Sequence, residues 1–317
     1  MRDRLVTVFG GGGFIGRYAA QALLRSGARV RFAGRDPRRA LYLKPLGGLG
    51  QSQFVAADVT RADTVARAVE GADAVVNLVG TFGADMARVQ FNGARIVAAA
   101  AAQAGVEALV HISAIGADAT GRSRYAQTKG AGDDAIRSAF PAATILRPSV
   151  VFGPEDHFLN RFARLIAIAP VVPVLRAPTR FQPVYVADVA AAICLAATEP
   201  AAHAGRTYEL GGPNTLTMRE LLGYIATETG RRPRFLELPD LAGAALASAG
   251  FLPGMPITRD QWLMLQADNV VAPGAQGLEA FGIVPTPIAA VAGEWLVRYR
   301  RQGRFARRVL ETGDASA

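Results

Sequence analysis

Tyr125 and Lys129 stand four apart in Tyr125-Ala126-Gln127-Thr128-Lys129, a spacing that implies proton transfer. On a helix, positions i and i+4 share one face. An ammonium beside a phenol stabilises the phenolate, which suits a tyrosine to general acid/base work. Lys129 is one of two lysines in 317 residues, Lys44 being the other. Ser113 ends an apolar run upstream and is placed to donate a hydrogen bond to a substrate oxygen. A third group is Gly10-Gly11-Gly12-Gly13-Phe14-Ile15-Gly16, with Gly10, Gly13 and Gly16 at GxxGxxG spacing. Glycines there let the backbone approach a pyrophosphate, and a helix start offers N–H groups and a positive dipole end. Together these residues predict a bound dinucleotide, with Ser113, Tyr125 and Lys129 as the catalytic set if the protein turns over.

The nucleotide is chosen at the end of the second strand, where NAD binders use a carboxylate and NADP binders an arginine. Phe32-Ala33-Gly34-Arg35 places Arg35 there, suited to a bidentate contact with a 2′-phosphate. Arg17 and Arg38 add positive charge, so the expected cofactor is NADPH or NADP⁺. Asp36, one residue later, keeps NAD as the less favoured alternative. Asp58, just past the third strand, reads either as an adenine contact or as a turn or helix-capping acid.

Positioning these groups falls to alternating short apolar and longer amphipathic runs, the pattern of βαβ units and a parallel sheet. Expected strands are 5–9, 30–33, 53–56, 74–79, 108–113 and 143–147, with helices at 15–26, 61–70, 86–104 and 123–138. After Pro148 the rhythm changes. Helices are expected at 158–168, 188–198 and 217–229, the last with Thr217 and Glu220 at capping-box spacing, and strands at 208–210 and 235–238. Beyond Pro239 the chain is apolar, small-residue-rich and proline-broken, and no element is assigned. The expected fold is α/β: a Rossmann-type doubly wound parallel sheet with a smaller C-terminal α/β cap. Residues 1–152 form the NADP-binding domain, which also receives 183–210, and 153–317 form the cap with a basic tail.

Composition narrows the function further. Cys194 is the single cysteine, and His111, His157 and His203 lack metal-ligand spacing, so no metal site is expected. The net charge of +9 comes from dispersed arginines without an aromatic-interleaved basic motif, which argues against nucleic acid. The scarcity of lysine beside arginine points to a GC-rich bacterial coding bias. No secretory or mitochondrial leader and no membrane span is read, so a cytoplasmic protein is expected.

Beyond the glycine loop and the Tyr–Lys pair, the chain resembles an extended, atypical short-chain dehydrogenase/reductase through about Leu238. Arg147-Pro148-Ser149-Val150-Val151-Phe152-Gly153-Pro154-Glu155-Asp156, then Phe158-Leu159-Asn160-Arg161-Phe162-Ala163, is similar to one branch. Gln182-Pro183-Val184-Tyr185-Val186-Ala187-Asp188-Val189-Ala190 is similar to it again. That branch is the NADPH-binding accessory subunit of respiratory complex I (NADH:ubiquinone oxidoreductase) and its bacterial relatives. The resemblance implies a tightly held, structural cofactor and peripheral-arm subunits of complex I as partners. It also implies that Gly10, Gly13, Phe14, Ile15 and Gly16 line the pyrophosphate and Arg35 the 2′-phosphate. Tyr125, Lys129, Pro148 and Val150 would surround the nicotinamide. Phe9 stands where the family usually has threonine. Ala114 replaces a second Ser/Thr common in active members, which weakens the case for catalysis.

The alternative is a free-standing NADP-dependent reductase, epimerase or dehydratase acting on a carbonyl compound or quinone precursor. A redox-sensing regulator would be expected to lack Tyr125 and Lys129. A last expectation concerns Arg298, Arg300, Arg301, Arg304, Arg307 and Arg308, which follow Trp295 and accompany Tyr299 and Phe305. Aromatics and arginines of this kind suit an anionic lipid boundary, a peripheral placement on the cytoplasmic face of the inner membrane. The apolar stretch Leu241–Ile257 is expected to meet that boundary or a partner.

Overall fold

The computed structural model describes residues 4–248, 250, 257–301 and 303. The apolar runs of the first half form β1 (Leu5–Phe9), β2 (Arg29–Gly34), β3 (Ser52–Ala56), β4 (Ala74–Asn77), β5 (Ala108–Ile112) and β6 (Thr144–Pro148). Between them lie α1 (Phe14–Arg25), α2 (Ala62–Val69), α3 (Ala94–Gln103) and α4 (Arg124–Ala139). The chain continues through β7 (Val151–Phe152), α5 (Phe158–Ile168), β8 (Val171–Leu175), β9 (Arg180–Phe181) and β10 (Val184–Tyr185). Next come α6 (Val186–Thr198), α7 (Pro200–His203), β11 (Thr207–Leu210), β12 (Leu216–Thr217), α8 (Met218–Glu228) and β13 (Arg234–Leu238). Two further helices, α9 (Asp240–Ser248) and α10 (Arg259–Met264), open the region that sequence left unassigned.

Seven strands make one parallel sheet in the order β11-β6-β5-β4-β1-β2-β3. Every residue of β1, β4 and β5 is buried, as expected of strands covered on both faces. One face packs α1 and α6 through Leu23, Val189 and Ile193; the other packs α2 to α4 through Val65, Val97 and Ile136. Strand order reverses beside β1, so β1 and β4 open the crevice in which this fold class binds ligands. Residues 186–210 return to this sheet as α6 and β11, with Thr207 to Leu210 in register with Ile145 to Pro148. The smaller layer pairs β8 with β13 and β9 with β12, around Phe152, Leu159, Leu221 and Leu296.

Two departures from expectation are local. The helix expected at 86–104 is π-helical over Ala87–Gly93 before becoming α3. β4 stops at Asn77, whose side-chain Oδ1 accepts the Val79 N–H at 3.2 Å in place of a ladder bond.

A third departure concerns the basic tail. Trp295 is buried against Phe152, with ring centroids 6.4 Å apart, and does not face outward as an interfacial aromatic would. Arg298 donates to the Pro154 carbonyl and, at 2.9 Å, to Asn160 Oδ1, while Arg300 donates to the Glu228 carbonyl at 2.8 Å. Arg304, Phe305, Arg307 and Arg308 lie outside the described residues, as does 251–256 of the apolar stretch. Among the described residues no helix is long and apolar enough to cross a membrane, and no cluster of potential metal ligands occurs.

Candidate dinucleotide-binding site

Gly10 leaves β1 with φ +81°, a conformation open to glycine, and its N–H donates to the Ala33 carbonyl at 3.2 Å. Gly13 N–H closes the turn onto the Gly10 carbonyl at 3.0 Å and then caps α1, with no side chain bonding to the helix start. Among the described residues, the first-turn N–H groups of Phe14, Ile15 and Gly16 have no acceptor. Gly16 is buried beneath this turn, where a β-carbon would collide with the Gly10 and Gly11 carbonyls. The missing side chains therefore leave a cradle of free donors at a positive dipole end, and a pyrophosphate fits it.

Arg35 lies at the C-terminal end of β2, exposed and with no hydrogen bond or ion pair to a described residue. Asp36 is committed locally: its carboxylate accepts the Arg38 N–H at 3.1 Å and pairs with the Arg38 guanidinium at 3.0 Å. The Arg38 bonds hold the Asp36 carboxyl below the usual carboxylate range. Arg17 is likewise engaged, paired with Glu155 at 2.7 Å and lying 5.0 Å above the Tyr42 ring. Asp58 accepts from the Thr60 N–H and hydroxyl at 2.9 and 2.8 Å, the turn role considered from sequence.

At the other end of the crevice, Ser123 caps α4 by accepting the Ala126 N–H at 3.0 Å. This helix brings Tyr125 and Lys129 to the end of β5, where Lys129 Nζ donates to the Ile112 carbonyl at 2.9 Å. Burial lowers Lys129 to about 8, with Asp133 acting in the opposite direction. Burial, reinforced by Asp133, pushes Tyr125 up to about 12. The phenol-lowering expected from the i, i+4 spacing is therefore absent, because desolvation and a neighbouring carboxylate both oppose the phenolate. Ser113 is buried beside Asp133, whose carboxyl it acts to hold down, though its Oγ makes no close hydrogen bond among the described residues. Pro148, at the end of β6, is buried, and Val150 is half-buried two residues on.

Sequence reasoning missed what lies beneath this end. Asp133 is fully buried and takes both the Nε and Nη2 of Arg147 on Oδ2, at 2.9 and 2.8 Å. His111 Nδ1 lies 3.2 Å from Asn77 Nδ2. Because Asn77 Oδ1 already accepts from Val79, its Nδ2 donates to His111, leaving the imidazole proton on Nε2. That Nε2 points at Asp133 Oδ1, 3.8 Å away. Burial, with the charge of Lys129, pushes His111 down to about 3, so the ring is neutral. The i, i+4 spacing of Lys129 and Asp133 carried a signal for this cluster; the long-range partners did not.

Two supports come from the unassigned C-terminal region. Asp260, on α10, accepts the Arg124 and Tyr125 N–H groups at 2.6 and 3.2 Å, capping α4 at the tyrosine. Asn269 accepts the Ser149 hydroxyl at 2.7 Å and the Val150 N–H at 3.1 Å on Oδ1, fixing the turn after β6.

The sheet, the glycine turn and the Tyr–Lys helix define a Rossmann-type protein, and the chain belongs to the NAD dependent epimerase/dehydratase family, which it matches over residues 6–211. Within that family it is 35% identical over 320 residues to the NADH dehydrogenase [ubiquinone] 1 alpha subcomplex subunit 9, mitochondrial, of Mus musculus. That alignment covers 98% of this chain and 84% of the mouse protein. It is 31% identical to the ceramide reductase of Caulobacter vibrioides, over 77% of this chain and 78% of that one. The NADPH-dependent quinone oxidoreductase QOR2 of Escherichia coli, solved with NADPH, shares the fold. Its TM-score is 0.73 at 20% identity, covering 92% of this chain and 99% of that one.

Proposed function

We propose that the chain is an NADP(H)-binding accessory subunit of respiratory complex I, docked on its peripheral arm at the cytoplasmic face of the inner membrane. The observation that carries this reading is the near full-length similarity to the mouse complex I subunit. Gly10, Gly13, Phe14, Ile15 and Gly16 would hold the pyrophosphate and Arg35 the 2′-phosphate, with Asp58 near the adenine. Arg17, tied to Glu155, contributes charge rather than a freely moving contact. Lys129, Tyr125, Pro148 and Val150 would enclose the nicotinamide, which supplies hydride chemistry when bound. Ala114, standing where a second Ser/Thr is common in active members of the family, supports a nucleotide that is held and not turned over. Purified respiratory membranes test this reading: the chain should co-migrate with NADH dehydrogenase activity, and Tyr125→Phe should leave that association intact.

The preference for NADP(H) rests on Arg35, while Asp36 is spent on Arg38. Arg35→Asp should weaken NADPH binding by roughly 1.5–3 kcal/mol, the worth of a charge-assisted contact, with little change for NADH. Equal retention of both nucleotides by the unaltered protein would exclude the assignment.

The second reading, an NADP-dependent reductase with Ser113, Tyr125 and Lys129 as its catalytic set, is favoured by the similarity to the ceramide reductase. Steady oxidation of NADPH by a carbonyl compound, abolished in Tyr125→Phe, would establish it. Contact with anionic lipid would fall to Arg301, Arg304, Arg307 and Arg308, since Arg298 and Arg300 bond within the chain. Flotation with anionic liposomes, lost on truncation after Gly303, is the expected result.

A further inference from the structure

Phe82 is a large apolar side chain that is 65% exposed, yet it does not project freely. Its ring lies parallel to that of Tyr125, at a centroid distance of 4.8 Å and an interplanar angle of 10°. It belongs to Gly80-Thr81-Phe82-Gly83, which leaves the end of β4 beside the crevice. Gly83 has φ +113°, a conformation that side chains strongly resist, so the segment turns sharply after Phe82. The glycine at 80 faces Lys129 Nζ, 3.6 Å from where a β-carbon would stand.

The segment is also latched. Gln90, buried within the π-helical turn, donates its Nε2 to the Thr81 carbonyl at 2.5 Å. Its Oε1 accepts the Thr128 hydroxyl at 2.7 Å, and Thr128 sits between Tyr125 and Lys129 on α4. One side chain thus joins the flap backbone to the helix that carries the tyrosine. A π-turn widens the spacing along a helix and recurs at functional sites; here it supplies the residue that holds Phe82 over Tyr125.

We propose that Phe82 is a specificity-determining cover. It occupies one face of Tyr125, the flap is fixed there by Gln90, and external hydride acceptors are thereby kept from the tyrosine end of the crevice. The consequence for hydride acceptors rests on the dinucleotide reading above; the shielding of Tyr125 does not.

Nitration by tetranitromethane, read by peptide mass spectrometry, tests the shielding on the full chain without added nucleotide. The other six tyrosines are internal controls, among them exposed Tyr42. Phe82→Ala should nitrate Tyr125 about three- to tenfold faster, the factor by which an aromatic pair of this kind favours the closed arrangement. Phe82→Trp, which can stack, should nitrate it at the unaltered rate. Equal Tyr125 nitration in Phe82→Ala and the unaltered protein would overturn the proposal.

The second arm uses NADPH-loaded protein and menadione, a small quinone. Hydride from NADPH and one proton from solvent reduce it to the hydroquinone, releasing NADP⁺. The ratio of the Phe82→Ala rate to the unaltered rate should exceed about threefold on the same stacking argument. A ratio of one overturns the role in excluding acceptors. Fast oxidation by the unaltered protein refutes the structural-nucleotide reading instead, while the ratio still decides for Phe82. Failure to retain NADPH refutes the dinucleotide reading, and nitration then decides alone.

Discussion

The two ends of the crevice are built on opposite plans. At the glycine end side chains are missing, and among the described residues the first-turn N–H groups lack acceptors. At the tyrosine end the supporting groups bond within the chain, while Ser113 Oγ, His111 Nε2 and Asp133 Oδ1 make no hydrogen bond among the described residues. Lys129 bonds to Ile112, Asp133 to Arg147, the start of α4 to Asp260 and the turn after β6 to Asn269. One end is prepared for an anion it does not itself supply; the other is held in place from behind and covered by Phe82. On the proposed reading, the residues that grip the pyrophosphate are distinct from those that surround the tyrosine.

The largest effect that would break the contrast is at Gly16. Gly16→Ala places a methyl group against two backbone carbonyls that cannot swing away. It should cost roughly 1–3 kcal/mol of stability through overpacking and abolish nucleotide retention, read by urea unfolding and by the absorbance of co-purified nucleotide. Unchanged retention would mean that the glycine end does not hold the pyrophosphate.

How much of this was legible follows from the range of each interaction. The glycine turn and the Tyr125–Lys129 face are local patterns, and their periodicity survives in the bare sequence. The expected ends of β1 and α5 are the observed ones, because apolar runs and helical spacing bound them. The Thr217 capping box forms with both of its bonds. The π-helical turn was not legible, since an apolar pattern does not distinguish it from α-helix over seven residues. Nor were Asp260 and Asn269, which act across 135 and 120 residues from short, proline-flanked segments without periodicity. Trp295 was misread for a related reason: local sequence beside arginines suggested a boundary, while its burial is decided by Phe152, far away in the chain.

A smaller effect sharpens the tyrosine end. Burial, with the charge of Lys129, pushes His111 from its usual 6.5 down to about 3. The unfolded chain therefore binds more protons in that window, and stability present above pH 6.5 is lost as pH falls toward 3. Between pH 7 and 5 this amounts to about 2 kcal/mol. Asp133, whose pKa burial raises, contributes with the opposite sign on its own range, so the comparison is with His111→Gln. Denaturant unfolding at the two pH values should show the variant less pH-dependent by about that amount. Identical pH profiles would mean that His111 is not held neutral.

The smallest effect separates support from chemistry. Asp260→Ala removes the acceptor of the Arg124 and Tyr125 N–H groups while Ser123 still caps α4. It should cost about 1 kcal/mol, the usual worth of a side chain bonding a helix start. Nucleotide affinity should hardly change, because the cradle lies at the other end. A large loss of affinity in this variant would show the two ends to be coupled, contrary to the contrast drawn from their bonding.

The bonds from Asn269 also set an order of events during synthesis. A ribosome delivers β1 through β6 long before residue 269, so the parallel sheet and its glycine turn can assemble on a partial chain. The Ser149–Val150 turn then waits, with a hydroxyl and an N–H lacking their acceptor, until 120 further residues have been made. The glycine turn can therefore form before the turn after β6 is fixed, and a chain stopped short of 269 would leave that turn without its Asn269 acceptor.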